Sequence, residues 1–209
     1  MSKRIVASPR PARGAPAETR ARLVAAAANV FNRDGYHGTD SNKIARAAGY
    51  APGTFYKHFL DKRAILLAVY DEWVTNEWTA VENELKAGGS PGAVAARLVN
   101  LVLDLHRRWR GVRSSVLGLV VTDPVVRRFY RGQRRRQLRM LSQLRAVTHG
   151  PAHSAEEDAV LLFTLERTCD AIANDEVRDL GLDLDATIDV LRALVRRHSA
   201  RRANGSRCA

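Results

Sequence analysis

The run from Ile44 to Leu66, IARAAGYAPGTFYKHFLDKRAIL, constrains this chain more than any other stretch, because two helix breaks fall within it at fixed offsets from apolar residues. Ile44, Ala45 and Ala48 recur at helical spacing, giving a short first helix an apolar face whose small side chains let another helix come close. Gly49 stands where that helix must end in a left-handed residue, a conformation glycine adopts without steric cost. Pro52 fixes its own φ and lacks an N–H, which suits the first position of the next helix. Phe55 and Phe59, four apart, give that second helix a buried side and leave Thr54, Tyr56, Lys57 and His58 pointing elsewhere. A helix of barely two turns does not hold itself together in water, so it must dock on its neighbours. Asp61 then reads as the N-cap of a third helix. This is the pattern of a helix-turn-helix.

Upstream, Leu23, Ala26, Ala27, Val30 and Phe31 repeat along one helix face that stops at Asp34-Gly35, supplying a scaffold helix. With it, residues 19 to 67 strongly resemble the DNA-binding head of the tetracycline-repressor (TetR) family of transcription regulators. The resemblance is carried by an ordered set: Ala27 and Phe31 with Gly35-Tyr36, Thr39, Ile44-Ala45, Ala48-Gly49, Gly53-Thr54-Phe55-Tyr56, His58-Phe59, and Lys62 with Leu66. Two positions depart from the family pattern. Ala51 stands where members usually have Ser or Thr, and loss of such a cap costs a helix about 0.5 to 2 kcal/mol. Asp40-Ser41-Asn42 replaces the common Thr-Thr pair, although Asp40 is a good N-cap at a positive helix end.

The resemblance implies an all-α chain of about nine helices, an N-terminal three-helix helix-turn-helix head followed by a helical body that binds an effector and dimerises. The expected boundaries are a disordered basic arm at 1–17, the head at 18–65, the body at 66–199 and a disordered basic tail at 200–209. The implied function is a dimeric repressor released from a double-stranded operator by a small molecule, with recognition helices entering major grooves about 34 to 36 Å apart. The expected DNA contacts are Ser41, Gly53, Thr54, Tyr56, Lys57, His58 and Lys62. Thr54 and Lys57 would reach base edges, Gly53 would permit close backbone approach, and Tyr56, His58 and Lys62 would hold phosphates.

Composition agrees with a helical body. Only 6% of residues are aromatic and 45% are hydrophobic, so strand signals are scarce while one sizeable core, or a head and a larger body, can be buried. The longest apolar stretch, Ser114 to Thr122, is far too short for a bilayer, and the N-terminus lacks the apolar region of a signal peptide. Two cysteines, Cys169 and Cys208, make no disulfide framework, so a reduced, cytoplasmic setting is expected. The net charge of +12 is concentrated in three blocks, 1–17, 124–155 and 196–209, which contain basic residues and no acidic ones. The first and last would attract DNA phosphates or remain solvated termini. The middle block falls on a helix with Arg131, Arg134, Arg135, Arg136 and Arg139, a solvated face or a surface for phosphates or an acidic partner.

In the body, Asp61 opens a helix running toward Lys86. Ser90-Pro91 opens the next, Gly111 to Thr122 forms a shorter one, and Asp123-Pro124 begins the arginine-rich helix. Ser154-x-x-Glu157 is a capping box for a helix over 155 to 180, with Gly181 separating a last helix over 184 to 198. The family resemblance gives these last two helices the dimer interface, with Ile188, Leu191, Leu194 and Val195 as its apolar stripe. It also places Trp73, Trp78, Trp109 and Phe163 around an effector cavity. Glu166, Asp170 and Asn174, at i, i+4 and i+8, would add two carboxylates and an amide facing a donor or cationic group of a mainly apolar effector. The alternative for the tryptophans is an ordinary core, and for the polar line a solvated face.

No cofactor, metal or catalytic site is expected. The chain has no G-x-S-x-G, phosphate loop or H-E-x-x-H, and Gly150-Pro151 breaks the helix between His149 and His153. A sequence-indifferent DNA-organising protein is the other binding reading, disfavoured by a body far larger than dimerisation alone needs.

Overall fold

A computed structural model describes residues 15–148 and 153–199, which form ten α-helices and, among the described residues, no strand. The expected basic arm before Ala15, the tail 200–209 with Cys208, and His149 with Gly150-Pro151 lie outside the described residues. The helices are α1 (Pro16–Asp34), α2 (Ser41–Ala47), α3 (Pro52–Tyr56), α4 (Lys62–Ala87), α5 (Pro91–Arg108), α6 (Arg110–Thr122), α7 (Pro124–Thr148), α8 (Ala155–Ala173), α9 (Glu176–Asp179) and α10 (Leu184–Ser199). Helix α1 thus opens at Pro16, inside the stretch expected as an arm, with proline at a position where its missing N–H costs nothing.

The chain divides into two compact units. One holds the residues up to Trp73 together with Gly111–Arg127, the other Val74–Arg110 and the chain from Arg128 onward. The first unit therefore takes in α6, a partner that a boundary at residue 65 does not anticipate. Its core is the buried face of α1 (Leu23, Val24, Ala27, Val30 and Phe31) with Ile44, Ala45, Phe55, Ile65, Leu66, Val112 and Val116. Two polar joints hold α6 and α7 to it. The Asn32 side-chain oxygen accepts from the N–H groups of Gly111 (2.9 Å) and Val112 (3.2 Å). Asp123 accepts from Val125 N–H (2.8 Å) at the start of α7 and pairs with Arg63 at 3.0 Å.

The second unit is built around α5, which packs on α8 and α10. Leu98, Val99, Val102 and Leu103 of α5 meet Cys169 and Ile172 of α8, Val177 of α9, and Leu191 and Val195 of α10. Cys169 is a small buried apolar residue here, fully enclosed. The single helix expected over 155 to 180 is in fact two. Asp175 adopts a left-handed conformation (φ 62°), and α8 closes at Asn174, whose N–H bonds the Asp170 carbonyl at 3.0 Å. Asn-Asp is a pair whose short polar side chains tolerate that conformation, and helical periodicity gives no hint of it.

Candidate DNA-binding head and ligand cavity

The second and third helices of the head are short and are held by local hydrogen bonds and a shared core. Asp40 caps α2 by accepting from the Lys43 N–H at 2.7 Å. Gly49 has φ 80°, and the chain turns back so that the Tyr50 N–H donates to the Ala45 carbonyl at 2.9 Å. Helix α3 has five residues and no side-chain cap at Ala51. What holds it is Phe55, fully buried, and Phe59, almost so, with ring centroids 5.8 Å apart.

Burial of those two rings turns the remaining side chains outward. Gly53, Tyr56 and Lys57 are exposed, while Thr54, His58 and, at the start of α2, Ser41 are half-buried. Tyr56 stands edge-on to Phe55 and the residue is 57% exposed, so its hydroxyl is available to a partner. A Cβ added at Gly53 would meet no protein atom within 4 Å, so the backbone there is open to close approach from outside.

Lys62, expected as a phosphate contact, is also engaged within the head. Its ammonium donates to the carbonyls of Tyr36 and Thr39, both at 2.9 Å, and lies 4.2 Å from the centre of the Tyr36 ring. The start of α4 is thereby pinned to the loop before α2. Two of the three ammonium N–H groups of Lys62 are thus spent within the head. Tyr36 is itself partly buried, which pushes its phenol above the ordinary range, chiefly by desolvation.

Within the second unit lies a cavity of about 320 Å³. Trp78, Val81 and Leu85 of α4, Val94, Leu98 and Val102 of α5, Leu141 and Leu144 of α7, Leu161, Leu162 and Leu165 of α8, and Val195 of α10 make its apolar wall. Its volume and lining suit a small apolar ligand. Polar side chains enter at few places: Glu77, Gln137, Glu166 and His198. Glu166, buried at 6% exposure, is paired to Arg134, whose guanidinium also donates to the Tyr130 hydroxyl and, at 2.9 Å, to the Gln137 side-chain oxygen. Arg134 further lies 4.6 Å from the centre of the Tyr130 ring. The His198 ring stacks on His153 at 3.8 Å and bonds Asp158 at 3.2 Å.

Of the residues expected at the cavity, Trp78 and Glu166 line it and the others do not. Trp73 is buried in the first unit, edge-on to Tyr70 at 5.1 Å. Trp109 ends α5 outside the lining, and Phe163 is 52% exposed on the outer side of α8. Asp170 is bound to the buried His106 at 3.0 Å, and Asn174 sits exposed at the helix end, donating to the Asp170 carbonyl at 2.8 Å. The expected line of three polar groups is therefore spread over three environments. Glu166 needs no ligand cation either, since Arg134 already neutralises it.

The expected dimer stripe is divided as well. Leu191 and Val195 are buried in the protomer core and Ile188 packs against it, leaving Leu194 exposed. The apolar side chains on the outer faces of these helices are Val160 and Phe163 on α8 and Val190 and Leu194 on α10. Among the described residues no His, Cys, Asp or Glu cluster could hold a metal, and no helix is long and apolar enough to cross a membrane.

A docked five-residue helix with outward polar groups defines a helix-turn-helix, and the second unit holds an apolar cavity of ligand size. Residues 23–69 match the model of bacterial regulatory proteins, tetR family. The head of the chain, over those residues, is thus similar to the DNA-binding region of that family. The chain is similar to the fatty acid metabolism regulator protein of Bacillus subtilis (strain 168), with 32% identity over 84 residues, 40% of this chain and 41% of that one. The chain thus spans about two fifths of the length of this relative. Among solved structures it resembles a tetR-family transcriptional regulator from Mesorhizobium loti MAFF303099, with TM-score 0.66 and 19% identity over 90% of this chain and 97% of that one. It also resembles the transcriptional regulator FadR from Bacillus subtilis in complex with stearoyl-CoA, with TM-score 0.61 and 20% identity over 84% and 96%. At these identities the two structures establish the shared fold. These relatives are transcriptional regulators.

Proposed function

We propose that this chain is a cytoplasmic, dimeric DNA-binding transcriptional regulator, a repressor released from its operator when a mainly apolar small molecule fills the cavity of the second unit. The observation that carries the reading is α3, whose Phe55 is wholly buried while Gly53, Tyr56 and Lys57 face outward. In a five-residue helix this arrangement presents one polar surface at a fixed angle, as insertion into a major groove requires. Thr54 and Lys57 read base edges, while Tyr56, His58 and Ser41 hold phosphates and set the register.

The exposed Val160, Phe163, Val190 and Leu194 are the surface on which a second copy pairs, giving the two-fold arrangement a pair of half-sites needs. Helix α4 begins in the head at Lys62 and supplies Glu77, Trp78, Val81 and Leu85 to the cavity. A ligand acts by binding one orientation of α4 more tightly than another, and only that difference in affinity shifts the equilibrium. The cavity also favours this reading over a DNA organiser without an effector. The stearoyl-CoA held by the Bacillus subtilis FadR makes long-chain acyl thioesters the first class to try. Selecting bound sequences from random duplex DNA tests the reading: one recurring two-fold motif, lost in Lys57→Ala, is expected, and binding without sequence preference overturns it.

A further inference from the structure

Helix α7 has two faces of opposite character. One side is buried or lines the cavity, with Gln133, Gln137, Leu141 and Leu144. On the other, Arg128, Arg131, Arg135 and Arg139 follow at intervals of three, four and four, all exposed. Such spacing keeps the four on one stripe, about 16 Å long at 1.5 Å per residue. No hydrogen bond or ion pair holds any of them among the described residues, and residues 124–155 contain no acid that could pair along the helix.

Solvated helix faces ordinarily alternate charge signs, because like charges three or four apart repel while opposite ones stabilise. Here repulsion is uncompensated along three turns. The residue type is arginine throughout, whose planar fork matches phosphate oxygens in pairs, rather than the more hydrated lysine. We propose that the outer face of α7 is a second, sequence-indifferent nucleic-acid surface, which binds the phosphate backbone of duplex DNA apart from the bases read by α3. A straight row of evenly spaced guanidinium groups complements a regular row of phosphates, and a chain of net charge +12 is drawn to duplex DNA over long range. This surface would hold the protein on flanking DNA and raise its local concentration near an operator. The inference rests on the DNA-binding reading of the head.

The test is a variant with Arg128, Arg131, Arg135 and Arg139 all changed to Gln, which keeps helix propensity and removes the repulsion. Its helicity by circular dichroism should equal that of wild type. Titrations against the selected operator embedded in long duplex, at several salt concentrations, should show a shallower salt slope with unchanged base preference. The slope should drop by roughly 0.9 for each phosphate that the variant no longer neutralises. The same four positions changed to Lys should retain most of the slope. Equal slopes and affinities for wild type and the Gln variant overturn the proposal while leaving the head's role intact. If wild type binds no duplex at all, both readings fail. If the Gln variant loses binding to polyglutamate yet keeps the wild-type salt slope on DNA, the row serves an acidic polypeptide and the proposal is wrong.

Discussion

The side-chain oxygen of Asn32, near the end of α1, accepts two backbone N–H groups from the first turn of α6, those of Gly111 and Val112. Gly111 sits so close that a Cβ there would lie 2.3 Å from the Asn32 carbonyl oxygen. Backbone cannot rotate away as a side-chain tip can, so Gly111→Ala should destabilise the first unit by about 1 to 3 kcal/mol, the usual range for overpacking. Asn32→Ala, which removes this helix-end cap, should cost about 0.5 to 2 kcal/mol. Urea melts followed by circular dichroism give both numbers. A neutral Gly111→Ala would mean that α6 is not seated on α1.

Lys62 separates a structural role from a DNA-binding one. Two hydrogen bonds from its ammonium to the Tyr36 and Thr39 carbonyls hold the loop that leads to the Asp40 cap. Hydrogen bonds from a charged donor contribute about 1.5 to 3 kcal/mol each at most, so Lys62→Met should lower the stability of the head by roughly that amount. Its salt slope on DNA should stay at the wild-type value, whereas Tyr56→Ala, which removes a neutral hydrogen-bond donor, should weaken binding to all sequences with little change in slope or stability. A Lys62→Met protein that melts like wild type but has a shallower slope would restore Lys62 to the phosphate contacts.

Acid should loosen the head through two carboxylates. Hydrogen bonds from Arg33 and then Lys43 hold Asp34 well below the usual carboxylate range, and a hydrogen bond from Arg63 lowers Asp123. A depressed folded-state pKa stabilises fully above the unfolded value, about 3.9, and the stabilisation is lost as pH falls through the folded value. Melting temperature should therefore be insensitive to these groups near pH 7 and fall below about pH 4. Asp123→Asn should be less stable at pH 7 and show a smaller further loss in acid. An unchanged acid limb in that variant would show that Asp123 contributes nothing to it.

How much of this can be read from the chain depends on the distance over which the information acts. The two faces of α3 are legible because Phe55 and Phe59 are four apart and a helix that short has no other way to be held. The seat of α6 on Asn32 is not, since it joins residues 79 apart and a lone Asn carries no periodic signal. Trp73 and Trp78 look equivalent in sequence, yet five residues on a helix turn the side chain by roughly 140°. One therefore packs in the first unit and the other lines the cavity. Glu166 stands out by its spacing. Its partner Arg134 is hidden among the other arginines of α7, because pairing between distant helices is not written in either one's pattern.

The division of α10 into buried and exposed apolar positions makes the dimer testable. Val190 is 71% exposed, while Leu191, its neighbour in sequence, is 2% exposed. Val190→Glu with Leu194→Glu should release folded monomers that bind operator poorly, since two half-sites must be held at a fixed spacing. Leu191→Glu should instead unfold the second unit, because it buries an unpaired charge in the core. Sedimentation together with circular dichroism distinguishes them. A folded dimer with both outer positions charged would move the interface off α10.

The pairing of Glu166 with Arg134 sets what a ligand can do at the polar end of the cavity. Removing one partner of a buried ion pair leaves the other unmatched and costs about 3 to 5 kcal/mol, so Glu166→Gln should destabilise the protein even without ligand. Replacing both by apolar residues, Glu166→Leu with Arg134→Met, should recover much of that stability, since two desolvated charges are removed together. An effector that is mainly apolar should bind the double variant about as well as wild type. One that recruits a charge from the pair should lose affinity at least tenfold, the equivalent of about 1.4 kcal/mol. Trp78 lines the same cavity, so its fluorescence should report occupancy, and Trp78→Phe should abolish the change without preventing operator release. A ligand that releases operator from wild type yet leaves the Trp78 signal untouched binds elsewhere.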